Sequence, residues 1–389
     1  MSTLITLYFL LILALLGLRW IRHERPSTLE QVRGVLAPHA LPLEAHLRRR
    51  SSANTRLARV FKLSNTFVHA DRSIHKTFVA DARSLLQRWD AATFPDVTRT
   101  VLDAYSKLLP ASIAFDSLVQ LITFTLVAET LLGGHIAPEE WREVLVVTQG
   151  INHLWEASKK TTRVNAENND LRAKMDASLR RWLPHLANPL DFVIPAYETM
   201  WRVVAVLIGR VAGTTNAGTL LAYFDDPRDI TFRVTTDGPS AEALVKEVLR
   251  LHSPVRRISR STSSSRLSRA LCAALPRWVR PTSICTADLD ALHRDVSIWG
   301  KSAGDFDATR FDSSRLTPEQ NAAWTPFGHG PLSCVAARDA PHLAALIAGA
   351  VIERLHEGGW KLQRGPRLGA RRGWDGWSVG ITPIRSTTA

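Results

Sequence analysis

The first apolar block runs from residue 4 to residue 18, LITLYFLLILALLGL, without a charge, and it reaches Trp20 if Arg19 snorkels. A bilayer crossing takes about 17–25 residues, so the block sits at the short end of a span. No Lys or Arg precedes it and no small-residue cleavage site follows, which argues against a secretory signal. Arg19, Arg22 and Arg25 come after it, and by the positive-inside rule they hold the following chain on the cytosolic side. The reading is a single-pass membrane anchor over residues 1–22, with a buried leader helix as the bland alternative. Pro26 ends the block, residues 38–42 are bounded by prolines, and the stretch 23–42 reads as a linker.

Beyond residue 43 apolar positions recur at three-to-four spacing over residues 74–89, 115–132 and 139–159, with no interior proline, which predicts three helices. Residues 191–211, DFVIPAYETMWRVVAVLIGRV, are apolar on most sides, the pattern of one long helix crossing the middle of a protein. Ser240 supplies a cap and Pro254 a stop for a helix between them, and residues 343–356 are strongly helical. Strand-like pieces, at 229–234 and 377–384, are few. The fold class is therefore mainly α with small β-sheets, in a single domain over residues 43–389.

Composition narrows the function only a little. Three cysteines in 389 residues build no disulfide framework, so any special cysteine must be judged by its neighbours. With 49 Lys and Arg against 36 Asp and Glu, the net charge of +13 favours an acidic partner, an anionic lipid or a polyanionic cofactor. The basic residues do not form a nucleic-acid module with interleaved aromatics, so no nucleic-acid partner is expected.

Four segments carry chemistry. In the loop TPFGHGPLSCVAA, residues 325–337, Phe327, Gly328, His329 and Gly330 precede Cys334, and a helical stretch follows. Glycines let the backbone approach a bulky group, and a cysteine just before a helix gains thiolate character from the dipole. The ordinary alternative is a buried inert cysteine. In KEVLRLH, Glu247 and Arg250 are three apart, share a helix face and can pair. The segment FDATRF, residues 306–311, brings Arg310 as a third member for that pair. The fourth is PAYETMW on the long apolar helix.

Taken in order, these segments resemble the cytochrome P-450 family of haem-thiolate proteins. Phe327, Gly330 and Cys334 match the family's cysteine loop, Glu247 and Arg250 its E-x-x-R helix, and Phe306, Arg310 and Phe311 its aromatic-Arg segment. Glu198 and Thr199 fall where the family places an acid-alcohol pair beside bound oxygen. The resemblance implies haem b held between the long oxygen-site helix and the helix after the cysteine loop. Cys334 would be the axial ligand, Phe327 a shield for the sulfur, and Glu198 with Thr199 the managers of protons and water. Glu247, Arg250 and Arg310 would form a structural charge cluster. The chain departs from the pattern at Leu332, where a propionate-binding basic residue is common, at Ala308, where a proline is usual, and at Pro195 in the oxygen helix. His329, Arg260 or Arg257 would supply the missing charge, with His75 and Lys76 as weaker candidates. Residues 250–280 hold eight arginines and no acid.

The activity implied is insertion of one oxygen atom from O2 into an apolar small molecule, in secondary metabolism after the manner of many fungal members. Electrons would come from NADPH through a separate acidic reductase, at the endoplasmic reticulum membrane with the catalytic domain cytosolic. The alternatives are a reductase-independent haem-thiolate isomerase or dehydratase, and a degenerate haem-binding member. Phe192 and Tyr197 are the expected walls of an apolar pocket.

Overall fold

The computed structural model describes residues 25–39, 41–160, 165–262 and 283–382. The expected anchor over 1–22 lies outside the described residues. Two short helices open the chain, α1 (Leu29–Leu36) and α2 (Leu43–Ala53), followed by α3 (Thr55–Phe61), α4 (Arg72–Arg88) and α5 (Phe94–Leu108). After strand β1 (Ser112–Ala114) come α6 (Phe115–Leu126), α7 (Trp141–Lys160) and α8 (Ala166–Trp182). The middle consists of α9 (Leu190–Tyr197), α10 (Met200–Val211), α11 (Ala217–Asp225), α12 (Asp229–Arg233) and α13 (Ala241–Leu251). Strands β2 (Arg257–Thr262) and β3 (Ser283–Asp288) lead to α14 (Leu289–His293), α15 (Val296–Trp299) and α16 (Pro318–Ala323). The chain closes with α17 (Ala340–His356), β4 (Trp360–Gln363) and β5 (Ser378–Ile381).

The core is the packing of α10 and α11 against α17. All of α10 is buried except Arg210, and α17 buries an unbroken run from Leu343 to Ile352. Each large aliphatic side chain so buried contributes about 1.5–3 kcal/mol. Close approach of α11 to α17 depends on Gly349, where an added Cβ would lie 2.8 Å from both the Leu220 carbonyl oxygen and Phe224 Cβ. The sheets are small and antiparallel. One has the order β1-β5-β4, with Ile113 opposite Val379 and Val379 opposite Leu362. The other pairs β2 with β3, setting Arg260 opposite Cys285.

Several expectations are corrected. The linker 23–42 contains α1, held by a capping box in which Thr28 Oγ1 accepts from the Gln31 N–H and Gln31 Oε1 from the Thr28 N–H, each at 3.3 Å. Val32, Val35 and Leu36 bury its inner face. The helix expected over 115–132 is α6 continued by a single π-helical turn, Val127–Leu131. The strand expected at 229–234 is the helix α12, because Phe232 is drawn inward to Tyr223, 5.0 Å between ring centroids, and stacks on His342 at 3.8 Å. Tertiary burial overrides the β-propensity of that segment.

The apolar stretch Leu190–Val211 is long and apolar enough to cross a membrane, but most of it is buried inside the protein, as in a core helix. It is not one unbroken helix. Pro195 removes an N–H from the ladder, and the helix opens into a turn at Glu198 and Thr199.

Replacing Gly349 by Val should force α11 from α17 and cost about 1–3 kcal/mol, read as a lower urea midpoint.

Candidate functional site

The cysteine loop is shaped by left-handed glycines and a few backbone hydrogen bonds. Gly328 and Gly330 have φ of 77° and 75°, which side chains rarely adopt. An added Cβ on Gly330 would also meet Ala37 Cβ at 2.3 Å, so the end of α1 lies directly over the loop. The Gly328 N–H donates to the Thr325 carbonyl at 3.0 Å and the Cys334 N–H to the Phe327 carbonyl at 2.9 Å. The loop is thus closed around Phe327, whose ring meets Trp324 edge-on.

Cys334 is open to solvent, yet burial pushes its thiol up. Both hold for a sulfur on the wall of a recess, open on one side and surrounded by protein on the others. The Ala336 N–H donates toward it and opposes the rise. α17 starts at Ala340, six residues after Cys334, so a turn of chain separates the cysteine from the helix it was expected to precede directly.

Behind the loop lies a fully buried charge cluster. Arg250 donates from Nε and Nη2 to the two oxygens of Glu247, each at 2.7 Å. Its remaining donors reach the carbonyls of His293 and Ala303, both at 2.7 Å, and of Asp305 at 3.2 Å. Arg310 stands 3.7 Å from Glu247 and donates to the carbonyls of Trp299 and Ser302 at 3.1 and 2.6 Å. The Asp307 N–H donates to Glu247 Oε1 at 2.9 Å. Both partners of the Glu247–Arg250 pair are fully buried, so the pair is sustained by these additional bonds as well as by Coulomb attraction. His293 carries the cluster to the loop: its Nε2 accepts from the Thr325 N–H at 3.1 Å. Burial and Arg250 push its imidazole down to about 4, the neutral state that this acceptor role needs.

Glu198 is almost wholly buried and held between two cations. Arg202, one helical turn on, approaches to 2.8 Å, and Arg371, from the C-terminal segment, also closes on Glu198 Oε1. Arg371 further bonds Asn152 at 3.1 Å, pairs with Glu156 at 3.4 Å and lies over the Trp155 ring. Thr199 beside it is half-buried at the turn before α10.

A third group consists of cations without acids. Arg50 and Arg260 are buried, and burial together with the neighbouring arginines pushes them down to about 9 and about 10. Arg49 and His46 adjoin Arg260, and His75 is tied to Arg50 through Thr66, whose hydroxyl meets His75 Nδ1 at 2.9 Å. Buried atoms in this group, Arg50 Nε, Arg260 Nε, Arg49 Nη1 and His46 Nδ1, have no hydrogen-bond partner among the described residues. Ile258, on the same face of β2 as Arg260, lies 3.9 Å from the Cβ position of Gly328, so the group borders the cysteine loop. Buried unpaired cations are costly, and they fit a ligand that brings carboxylates.

The site residues named from the sequence divide accordingly. Arg260 and His75 join the unpaired group. Arg257 is instead half-exposed and bound to Asp288 at 3.0 Å, and Lys76 is exposed on α4. His329 is half-buried near Arg33, which joins burial in pushing its imidazole down. Tyr197 is no pocket wall, since it is buried edge-on against Phe124, whereas Phe192 stacks on Phe78 at 5.5 Å. Arg50 and Arg371 escaped the sequence reading, because each meets its partner only through the fold. Arg202 is open to it, lying four residues after Glu198 in a stretch whose apolar pattern predicts one helix.

The family model for cytochrome P-450 matches residues 222–355. The chain is 29% identical over 157 residues to a benzoate 4-monooxygenase of Aspergillus niger, covering 38% of this chain and 28% of that protein. It is 30% identical over 176 residues to leukotriene-B4 omega-hydroxylase 3 of Mus musculus, covering 43% and 29%. The chain therefore spans less than a third of the length of these curated relatives. A six-coordinated cytochrome P-450 from Thermus thermophilus shares the fold, with a TM-score of 0.58 over 92% of this chain and 91% of that one, at 16% identity.

Arg250→Ala would leave Glu247 buried and unpaired, and should cost about 3–5 kcal/mol in urea denaturation, with Arg250→Lys restoring little because it lacks the fork. Acid should also destabilise the fold. The folded-state pKa of His293 lies below the ordinary 6.5, so its contribution is complete above that pH and is lost as pH falls toward 4. The loss amounts to about 3 kcal/mol, and His293→Asn, which keeps an acceptor, should flatten the fall in the urea midpoint between neutral and acid pH.

Proposed function

The chain belongs to the cytochrome P-450 superfamily, and from that premise we propose that it is a haem-thiolate monooxygenase that inserts one oxygen atom of O2 into an apolar small molecule. The observation that carries the reading is the juxtaposition of a recessed, solvent-open cysteine with buried cations that have no acid partner among the described residues. Cys334 would hold the haem iron, with the Ala336 N–H tempering the sulfur's charge. Arg50 and Arg260, with His75 and Arg49 behind them, would hold the two propionates by charge-assisted bonds. Bound through a thiolate, haem supplies the electron donation that favours cleavage of an O–O bond.

Around that group the chain's own residues divide the work. With the group bound, Phe327 would help screen the sulfur from water. The turn at Glu198 and Thr199 interrupts the helical ladder and gives a hydroxyl and a carboxylate a place to order water and pass protons. Phe192 and Phe78 offer an apolar wall to a substrate. The similarity to benzoate 4-monooxygenase supports a substrate of the aromatic or comparably apolar class. Electrons would come from NADPH through a separate acidic reductase drawn to the basic surface, and the apolar block before Arg19 would anchor the protein at the endoplasmic reticulum. Secondary metabolism is the setting that fits the fungal-like PAYETMW segment.

One observation favours a second reading. Glu198 is clamped by Arg202 and Arg371, which restrains it as a proton carrier, and a rearrangement or dehydration without reductase needs no such carrier. Turnover that persists without NADPH and reductase selects this reading over the first.

The reduced carbon monoxide complex of haem-loaded protein should show the strongly red-shifted Soret band of thiolate ligation, and Cys334→Ser should abolish it. The double variant Arg50→Gln, Arg260→Gln should keep the Soret position but retain haem about tenfold less well in gel filtration, since two charge-assisted contacts are lost. Unchanged spectra in Cys334→Ser would reject the assignment.

A further inference from the structure

At the C-terminal end of α10, remote along the helix from Glu198, a cleft of about 510 Å³ opens toward the segment that follows β4. Its walls include Arg210, His252, Arg364, Arg367, Leu368 and Trp377, and no Asp or Glu among the described residues lines it. The hydrogen bonds of these cations run to neutral groups among the described residues, although Glu247 attracts Arg210 through space. Arg364 donates to the Gly209 carbonyl at 2.5 Å and to the Ala212 carbonyl, capping the helix end and offsetting its partial negative charge, with no ion pair to an acid among the described residues. Arg210 donates from Nη2 to His252 Nε2 at 3.0 Å and lies over the Phe306 ring at 5.3 Å. Its Nε is buried and has no hydrogen-bond partner among the described residues. Arg367 is exposed, with no ion pair among the described residues.

His252 reports the local field. Burial, followed by Arg210, Arg294, Arg256 and Arg250, pushes its imidazole down to about 3. No acid offsets that push. The nearby Asp290 is already shared by Arg294 at 3.4 Å and Arg256 at 3.9 Å. The imidazole therefore stays neutral and serves Arg210 as an acceptor, leaving the guanidinium charges turned to the cleft.

We propose that this cleft binds a phosphate-bearing molecule, its phosphoryl oxygens shared among the guanidinium groups of Arg210, Arg364 and Arg367. Three guanidinium groups lining one cleft, from one helix end and one loop, suit a multivalent oxyanion; a lone carboxylate would engage only one of them. The helix C-terminus itself repels an anion, with about half a unit of negative charge, and Arg364 covers that end. Water takes about 30 Å³ per molecule in the liquid, so the cleft has room for a phosphate together with an organic moiety resting against Leu368. The proposal does not depend on the haem-thiolate reading.

The test is calorimetric titration of the full-length chain with inorganic pyrophosphate at near-physiological salt, which screens merely surface attraction. A second arm uses phosphatidylcholine vesicles with and without phosphatidic acid, to separate a free phosphate from a lipid headgroup. Saturable binding with one site per chain is expected, weakened about tenfold by Arg367→Gln and further by Arg210→Gln. In the nuclear magnetic resonance titration of His252, bound pyrophosphate should move the imidazole pKa upward by adding negative charge beside it. Binding confined to phosphatidic acid vesicles, and lost in the same variants, would assign the site to a headgroup. Absence of saturable binding in both arms, or equal affinity in Arg367→Gln and Arg210→Gln proteins that unfold like the parent, overturns the proposal.

Discussion

The ion pair between Glu247 and Arg250 is the constraint on which the site depends. Neither partner meets water, so both must find every hydrogen bond inside the protein, and they find them on segments far apart in the chain. Arg250 gathers the carbonyls of His293, Ala303 and Asp305, and Glu247 takes the Asp307 N–H. Those segments have little regular structure of their own. Without the pair those buried carbonyls would lack donors, and the coil before the cysteine loop would lose a large part of what defines its path. His293 transmits the order one step further, because the residue whose carbonyl binds Arg250 is also the one whose ring receives the Thr325 N–H. The position of Cys334 is thus set from a helix more than eighty residues earlier in the sequence.

Charge is handled in opposite ways on the two sides of that loop. Glu247, Arg250 and Arg310 form a closed account of donors and acceptors, which is what a structural cluster requires. Arg50, Arg260, Arg49 and His46 are left without acids, although desolvation penalises each of them. A fold that balances one set of buried charges so fully and leaves an adjoining set unbalanced among the described residues is what supports the proposal of an anionic ligand there. The contrast also explains why Arg257 does not belong with Arg260 despite its proximity in sequence. Alternation along β2 turns it to the other face, where Asp288 neutralises it.

Much of this was legible in the residues, for reasons that differ from one part to another. The pairing of Glu247 with Arg250 and the glycines around Phe327 are local: a spacing of three on a helix, or a loop that needs positive φ, can be seen without knowing the fold. Ser240 as a cap, confirmed by its side chain accepting from the Ala243 N–H at 3.2 Å, is of the same kind. What escaped is nonlocal. Nothing near Arg371 announces that it will close on Glu198, and nothing near Arg50 that it will face Arg260. The segment 229–234 was misjudged because the side chain deciding its shape, Phe232, answers to His342 on a distant helix. The capping box at Thr28 and Gln31 was available in the sequence, but prolines on either side made the linker reading more prominent.

The segment after β4 shows how such nonlocal contacts govern the centre of the molecule. Arg364 seizes the carbonyls at the end of α10, and Arg371 reaches Glu198 at its beginning. A twelve-residue helix is about 18 Å long, and seven residues of extended chain cover at most about 25 Å. The segment therefore runs along the helix, opposite in direction, with slack to spare for the bends between the two arginines. Gly209 makes room for this course: an added Cβ would come within 2.6 Å of Leu368 Cδ2. Trp374 and Trp377 then pack against Phe115 and turn the chain back into β5. The two arginines thus tie both ends of α10 to one C-terminal segment, and the turn that carries Thr199 lies beside one of those ties.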